Sequence, residues 1–255
     1  MSGDYLAVRD VSKSFGGLKA LDGCSFTAAR GKVTCLVGPN GAGKTTIFNI
    51  VTGFIRPDRG TVSFDGRSLD GLSPGAVIRS GIARTFQNLR LFDEMSVLDN
   101  VLVYLRDETA TSPLAALFRP FWTAAELRRK TETALSLIEN VGLAHKAREP
   151  VRSLSYGQQK LLSIARVLAT GCDMLLLDEP TSGLSQSALG EMVDMVHKLR
   201  DQGHSLLVVE HNTRVVQRIA DEIVFLHQGR HVTQGPPEAI MRDPKLAEIY
   251  FGGVI

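Results

Sequence analysis

VTCLVGPNGAGKTTIFNIVTGF, Val33 to Phe54, carries the strongest signal in the chain. An apolar run of strand length passes into the glycine-rich GPNGAGKTT, Gly38 to Thr46, and then into IFNIV with helical spacing, ended near Gly53. Gly38, Gly43, Lys44 and Thr45 fit GxxxxGK[ST], and they do so between a strand and a helix, the context that motif requires. Glycines let backbone N–H groups approach phosphate oxygens, Lys44 neutralises the β/γ oxygens, and the Thr45 hydroxyl can ligate Mg²⁺. Pro39, Asn40, Gly41, Ala42 and Thr46 complete the loop. A glycine-rich turn without a ligand is the plainer reading, and the match of sequence to context weighs against it.

Upstream and just downstream, short β-branched runs at Leu6 to Val8, Cys24 to Ala28, Lys32 to Val37 and Gly60 to Phe64 alternate with glycine turns, which predicts an antiparallel sheet beside the first buried strand. From Asp99 to Gly142 the spacing turns helical. A loop around Ser112, Pro113 and Pro120 precedes AAELRRKTETALSLIENVGL, whose apolar positions fall three and four apart. The second half alternates strand and helix: MLLLDE, SALGEMVDMVHKLRDQG, SLLVVEH, a short helix, then EIVFLHQG. Apolar strands bounded by such helices imply a parallel sheet covered on both faces. The C-terminal PPEAIMRDPKLAEIYFGG reads as two short helices around Pro244. The fold class is therefore α/β, a P-loop NTPase core with a parallel sheet, an N-terminal antiparallel β-subdomain and an inserted helical subdomain.

With 255 residues, 44% of them apolar and 22% charged, the chain is long enough for one large domain or a core with an inserted lobe. The net charge of +2 gives no electrostatic case for nucleic acid as a partner. Cys24, Cys35 and Cys172 are odd in number and lack CxxC spacing, which suits a reducing compartment better than a disulfide framework or a zinc site. Charges at Asp4, Arg9, Asp10 and Lys13 break any apolar core of an export signal. The longest apolar runs have strand length, far below the ~20 residues of a spanning helix, so a membrane role is expected only through a partner.

Other residues carry chemistry by position. MLLL delivers Asp178 and Glu179 to the C-terminal end of a buried strand, where α/β sheets place ligands. Asp178 can hold Mg²⁺ through water and Glu179 can polarise an attacking water, although an acidic pair alone is more often a solvated strand end. Gln87, ending IARTF, and His211, ending SLLVVE, can reach the same sheet edge, where a lone glutamine or histidine is usually a structural hydrogen-bonder. LSYGQQK, Leu154 to Lys160, places serine and glycine at the mouth of a helix, a second anion cradle that is also a plain serine cap.

In order, GPNGAGKTT, RTFQN, LSYGQQ, LLLDEPTSGL and VVEHN make the chain resemble the ATP-binding cassette of ABC transporters over nearly its whole length. The finer resemblance, carried by SKSFGGLKALDGCSF, TGFIRPDRGTVSFDG, RTFQNLRLFDEMSVLDNV, the insert through LFRPFW and SYGQQKLLSIARVLA, is to the cassette subunits of branched-chain amino acid uptake systems. It implies an ATPase using ATP and Mg²⁺. Within it Glu179 is the general base, His211 a γ-phosphate contact, and Gln87 the residue sensing Mg²⁺, water and the transporter. Thr45, Gln87 and Asp178 are implied around the metal, and Phe15 against adenine, the alternative for Phe15 being a core aromatic.

The resemblance also explains the second cradle. Two cassettes face head to tail, so that Ser155, Gly157 and Gln158 of one meet the nucleotide held by the Gly38–Thr46 loop of the other. Its expected division is 1–87 and 159–255 for the ATP-binding core and 88–158 for the inserted helical subdomain, ending in the signature motif. Tyr156 stands where that signature commonly has glycine, and Ser185 where many cassettes have aspartate. Expected partners are a second cassette, the same or paralogous, integral membrane permease subunits meeting Leu89, Phe92 and Met95, and, indirectly, a periplasmic or secreted solute-binding protein. The expected place is cytoplasmic, on the inner face of the plasma membrane. Importers of urea or short amides, and a soluble cassette ATPase without a permease, are the alternatives.

Overall fold

The computed structural model describes residues 4–105 and 124–242. The expected loop around Ser112, Pro113 and Pro120, the LFRPFW insert and a second C-terminal helix past Pro244 lie outside the described residues. The strands are β1 (Leu6–Phe15), β2 (Leu18–Ala28), β3 (Val33–Val37), β4 (Arg59–Phe64), β5 (Arg67–Ser68), β6 (Ile82–Arg84), β7 (Met174–Asp178), β8 (Ser205–Val209), β9 (Glu222–His227) and β10 (Arg230–Gly235). The described helices are α1 (Lys44–Val51), α2 (Pro74–Ser80), α3 (Val97–Leu102), α4 (Ala124–Asn140), α5 (Tyr156–Ala169), α6 (Gln186–Asp201), α7 (Thr213–Ile219) and α8 (Pro237–Met241).

The described residues form two compact units. One takes the chain up to Gln87, Asp173–Ser182 and the chain from Gln186 onward; the other takes Asn88–Cys172 and Gly183–Ser185. In the first unit an antiparallel sheet has the order β2-β1-β4-β5, and a six-stranded sheet has the order β10-β9-β3-β8-β7-β6. Pairings β6–β7, β7–β8, β8–β3 and β3–β9 are parallel, while β10 closes the edge antiparallel to β9. This is the α/β fold of a P-loop NTPase.

The run Lys32–Val37 leaves the antiparallel group in which the glycine turns suggested it. Every residue of β3 is buried, so both faces must be covered, and it sits between β8 and β9. β2 instead alternates buried and more open positions from Cys24 to Ala28, and it pairs antiparallel with β1. β7 and β8, MLLLD and SLLVV, are buried throughout.

Two strands end earlier than the sequence pattern suggests. β6 stops at Arg84 rather than running through IARTF, because the Thr85 hydroxyl accepts the Asp178 N–H at 3.1 Å and takes over the ladder's next contact. β8 stops at Val209, because the Glu210 carboxylate turns back to receive backbone N–H groups and the chain leaves the ladder.

α1 buries Ile47, Phe48, Ile50 and Val51 in the core formed with β1, β2 and β4. Each such side chain contributes about 1.5–3 kcal/mol relative to exposure. That burial anchors the helix start, and with it the phosphate-type loop.

In the second unit α3, α4 and α5 pack together. Arg166 of α5 is buried there, donating to the Leu89 and Arg90 carbonyls and, at 2.6 Å, to the Tyr104 hydroxyl. Of the three residues expected to meet a permease, Phe92 is exposed and Leu89 and Met95 are half-buried.

Candidate functional site

β3 ends in a loop that only glycine can form at two points. A Cβ on Gly38 would lie 2.1 Å from the Leu226 carbonyl oxygen. One on Gly43, whose φ is +100°, would lie 2.8 Å from the Ala20 carbonyl oxygen. Between them run Pro39, Asn40, Gly41 and Ala42, with Asn40 and Gly41 exposed.

Lys44 opens α1, is 6% exposed, and folds back so that its ammonium donates to the carbonyls of Gly38 at 2.7 Å and Pro39 at 2.9 Å. Burial holds its pKa below the usual lysine range, and the Glu179 carboxylate opposes part of that shift. Thr45 is exposed and Thr46 half-buried at the same helix start.

β7 brings Asp178 and Glu179 to its C-terminal end, as the apolar run MLLL suggests. Asp178 is 8% exposed and pairs with Arg84 at 2.6 Å. Glu179 adopts φ +49°, unusual for a residue with a side chain, and its N–H donates to the Val209 carbonyl at 3.0 Å. Its carboxylate is held from two sides. The Gln87 amide donates to Oε2 at 3.1 Å, and the His211 ring Nε2 lies 2.8 Å from Oε1. Three residues spread over more than a hundred positions thus meet at one sheet edge. Gln87 arrives on the loop after β6 and His211 on the loop after β8 rather than at strand ends.

Sequence reasoning missed the residues that set this trio. Glu210, buried, accepts from Thr181 N and Oγ1 with Oε1 and from the His211 and Asn212 N–H groups with Oε2. It thereby joins the loop after Glu179 to the loop bearing His211. The available signal was a carboxylate directly after the apolar run SLLVV, a place where an uncompensated charge is costly. Arg84 and Asn49 were also missed. Nothing local in IARTFQ or IFNIV marks a pair that forms across 35 residues.

Phe15 ends β1, 46% exposed, with the Lys13 ammonium 5.6 Å from its ring centre; it is not a core aromatic. In the helical unit Ser155 caps α5. Its hydroxyl accepts the Gln158 N–H at 3.3 Å and the Gln158 side chain accepts the Ser155 N–H at 3.0 Å. Gly157 is half-buried in the first turn. Tyr156 is 46% exposed, and its ring edge lies 3.1 Å from where a Cβ on Gly183 would stand. Ser185 is exposed.

The donor set fits a nucleotide with Mg²⁺. Thr45 and Asp178 offer hard oxygens, and Asp178 Oδ1 has no hydrogen-bond partner among the described residues. No cluster of three or more His, Cys, Asp or Glu among the described residues could hold a metal alone. That suits Mg²⁺, which keeps several waters and takes its other oxygens from phosphate.

Residues 21–182, spanning the loop, the acidic pair and the capped helix, match the family model described as ABC transporter. The chain belongs to the ABC transporter family. Among its relatives, the high-affinity branched-chain amino acid transport ATP-binding protein BraF of Pseudomonas aeruginosa is 38% identical over 254 residues, covering 99% of each chain. LivG of Salmonella typhimurium, described in the same words, is 37% identical over 256 residues, again covering 99% of each. A crystal structure of an ATP-binding cassette of an ABC transporter in its ADP conformation superposes with a TM-score of 0.85. It has 32% identity and covers 98% of this chain and 99% of the other. The ABC transporter cassette fold therefore extends through both compact units.

Proposed function

We propose that this chain is the ATP-hydrolysing subunit of an importer for branched-chain amino acids, working with a second cassette beneath membrane permease subunits. The observation that carries the reading is the Glu179 carboxylate, held between Gln87 and His211 at the sheet edge. BraF and LivG, by their names, serve branched-chain amino acid transport, which favours that cargo over urea or short amides. No helix among the described residues is long and apolar enough to cross a membrane, so the contact with the membrane is assigned to the permease at its inner face. The permease would meet the segment holding Leu89, Phe92 and Met95, and a solute-binding protein would act on the far side without touching this chain.

The residues divide the work. Backbone N–H groups of Gly41 to Thr46 and the Lys44 ammonium bind the β- and γ-phosphates, Lys44 exchanging its loop carbonyls for phosphate oxygens. Phe15 stacks on adenine. Thr45 and Asp178 hold Mg²⁺ with Gln87 nearby, and the metal supplies charge neutralisation on the phosphates. Glu179 accepts a proton from water as that oxygen bonds to the γ-phosphorus and the bond to the ADP oxygen breaks. His211 steadies Glu179 and the γ-phosphate. Ser155, Gly157 and Gln158 of the facing cassette close the site. Closure is a population shift set by the affinity of the closed pair for ATP.

Glu179→Gln tests the assignment. In vesicles holding the permease complex it should bind ATP normally while phosphate release and leucine uptake fall together by roughly 10²- to 10⁴-fold. Near-normal phosphate release would remove Glu179 from its role. Hydrolysis coupled to urea or amide uptake, with none for leucine, would overturn the cargo.

A further inference from the structure

Arg84 closes β6 with a side chain only 6% exposed. Its guanidinium makes two hydrogen bonds of 2.6 Å, Nη1 to Asn49 Oδ1 on α1 and Nη2 to Asp178 Oδ2 at the end of β7. It lies 5.2 Å from the ring centres of both Phe48 and Phe86. Its Nε is buried with no hydrogen-bond partner among the described residues. A desolvated charge with an unmet donor is a costly way to fill space, and a buried ion pair returns little stability compared with apolar packing of the same volume. The geometry it fixes is specific. Asn49 is four residues after Thr45, so the two share one face of α1, one turn apart. A single planar fork therefore registers the Thr45 face of α1 against the Asp178 carboxylate. It pins Asp178 by Oδ2 and leaves Oδ1 without a partner among the described residues. Phe86, packed on the same guanidinium, immediately precedes Gln87.

We infer that Arg84 is a positioning residue for the divalent cation that accompanies the nucleotide. It sets the spacing and orientation of Thr45 and Asp178 without touching either metal or phosphate. The inference rests on the reading that Thr45 and Asp178 hold that cation. Removing a group that orients metal-holding residues typically costs 10- to 100-fold in metal affinity. A planar fork is not replaced by an ammonium, so lysine should restore the charge but only part of the register.

The test is titration of the full-length protein with a fluorescent ATP analogue, in EDTA and across a Mg²⁺ series, with thermal melts of each variant. Arg84→Met should raise the Mg²⁺ concentration at half effect by roughly tenfold or more, while affinity in EDTA stays within about twofold. Arg84→Lys should fall between it and the unaltered protein. Asn49→Ala keeps the ion pair and cuts only the tie to α1. It should shift the Mg²⁺ midpoint in the same direction by a smaller factor, and it decides the matter if Arg84→Met fails to fold. Asp178→Asn is the reference. If it shifts the midpoint while Arg84→Lys and Asn49→Ala do not, the positioning role is overturned and the metal reading stands. No shift with Asp178→Asn overturns the metal reading and this inference with it. Equal losses in EDTA and in Mg²⁺ for the Arg84 variants reduce Arg84 to a packing role and overturn the inference.

Discussion

Lys44 is a buried cation tied to the shape of its loop, and its proposed phosphate contact makes a pH-dependent prediction. Its ammonium is satisfied by the Gly38 and Pro39 carbonyls, and burial lowers its pKa from the ordinary 10.5. Between the lowered folded value and 10.5 the unfolded chain holds more protons than the folded one, so this residue's contribution to stability rises with pH through that window. Phosphate favours the charged lysine, so nucleotide affinity carries the opposite sign: it is retained at neutral pH and lost as pH rises through the lowered pKa. Fluorescent-nucleotide titrations from neutral pH upward should show affinity falling before 10.5 is reached. Lys44→Arg, always charged, should bind with a flatter profile. Parallel profiles for the two proteins would show that the decline belongs to another group. Glu179 is the second residue whose surroundings are informative, since a φ of +49° persists only where neighbours hold it, here the Val209 carbonyl, Gln87 and His211.

Between elements, Glu210 joins the loop after β7 to the loop after β8. Removing its carboxylate strands the buried Thr181 N–H and hydroxyl away from their acceptor. Glu210→Ala should therefore lower unfolding free energy by about 3 kcal/mol in urea titrations, the scale of buried donors left unmet at a charged acceptor. It should also reduce hydrolysis, because His211 loses the loop that aims it at Glu179. Unchanged stability with unchanged hydrolysis would show that the two loops hold their positions without it. The elements also mark where sequence reading succeeds. VTCLV and MLLL announce their strands because both faces are apolar, and GPNGAGKTT announces the turn because Gly38 and Gly43 stand where a Cβ would run into the Leu226 and Ala20 carbonyls. Gln87 and His211 were legible as residues of the right sheet edge, but not their route there. The strands end where side chains, the Thr85 hydroxyl and the Glu210 carboxylate, take over ladder contacts, and no local pattern encodes that. The Arg84 clamp was illegible for a related reason: its partners are 35 and 94 residues away.

At the scale of the whole molecule, the two segments proposed to cradle anions, the Gly38–Thr46 loop and the capped start of α5, lie in different compact units. In the structure each is self-satisfied, Lys44 on loop carbonyls and Ser155 in a reciprocal cap with Gln158. Both are proposed to hold one nucleotide shared by two chains, which makes the hydrolytic unit a pair. The direct measurement is phosphate release by mixtures of Lys44→Ala and Ser155→Arg chains, with mixed pairs verified by cross-linking. Each variant alone should be inactive. In the mixed pair one site joins the intact loop of the Ser155→Arg chain to the intact Ser155 of the Lys44→Ala chain, while the other site carries both lesions, so hydrolysis should return in proportion to the mixed pairs present. If verified mixed pairs release no more phosphate than the separate variants, the two-chain site is contradicted.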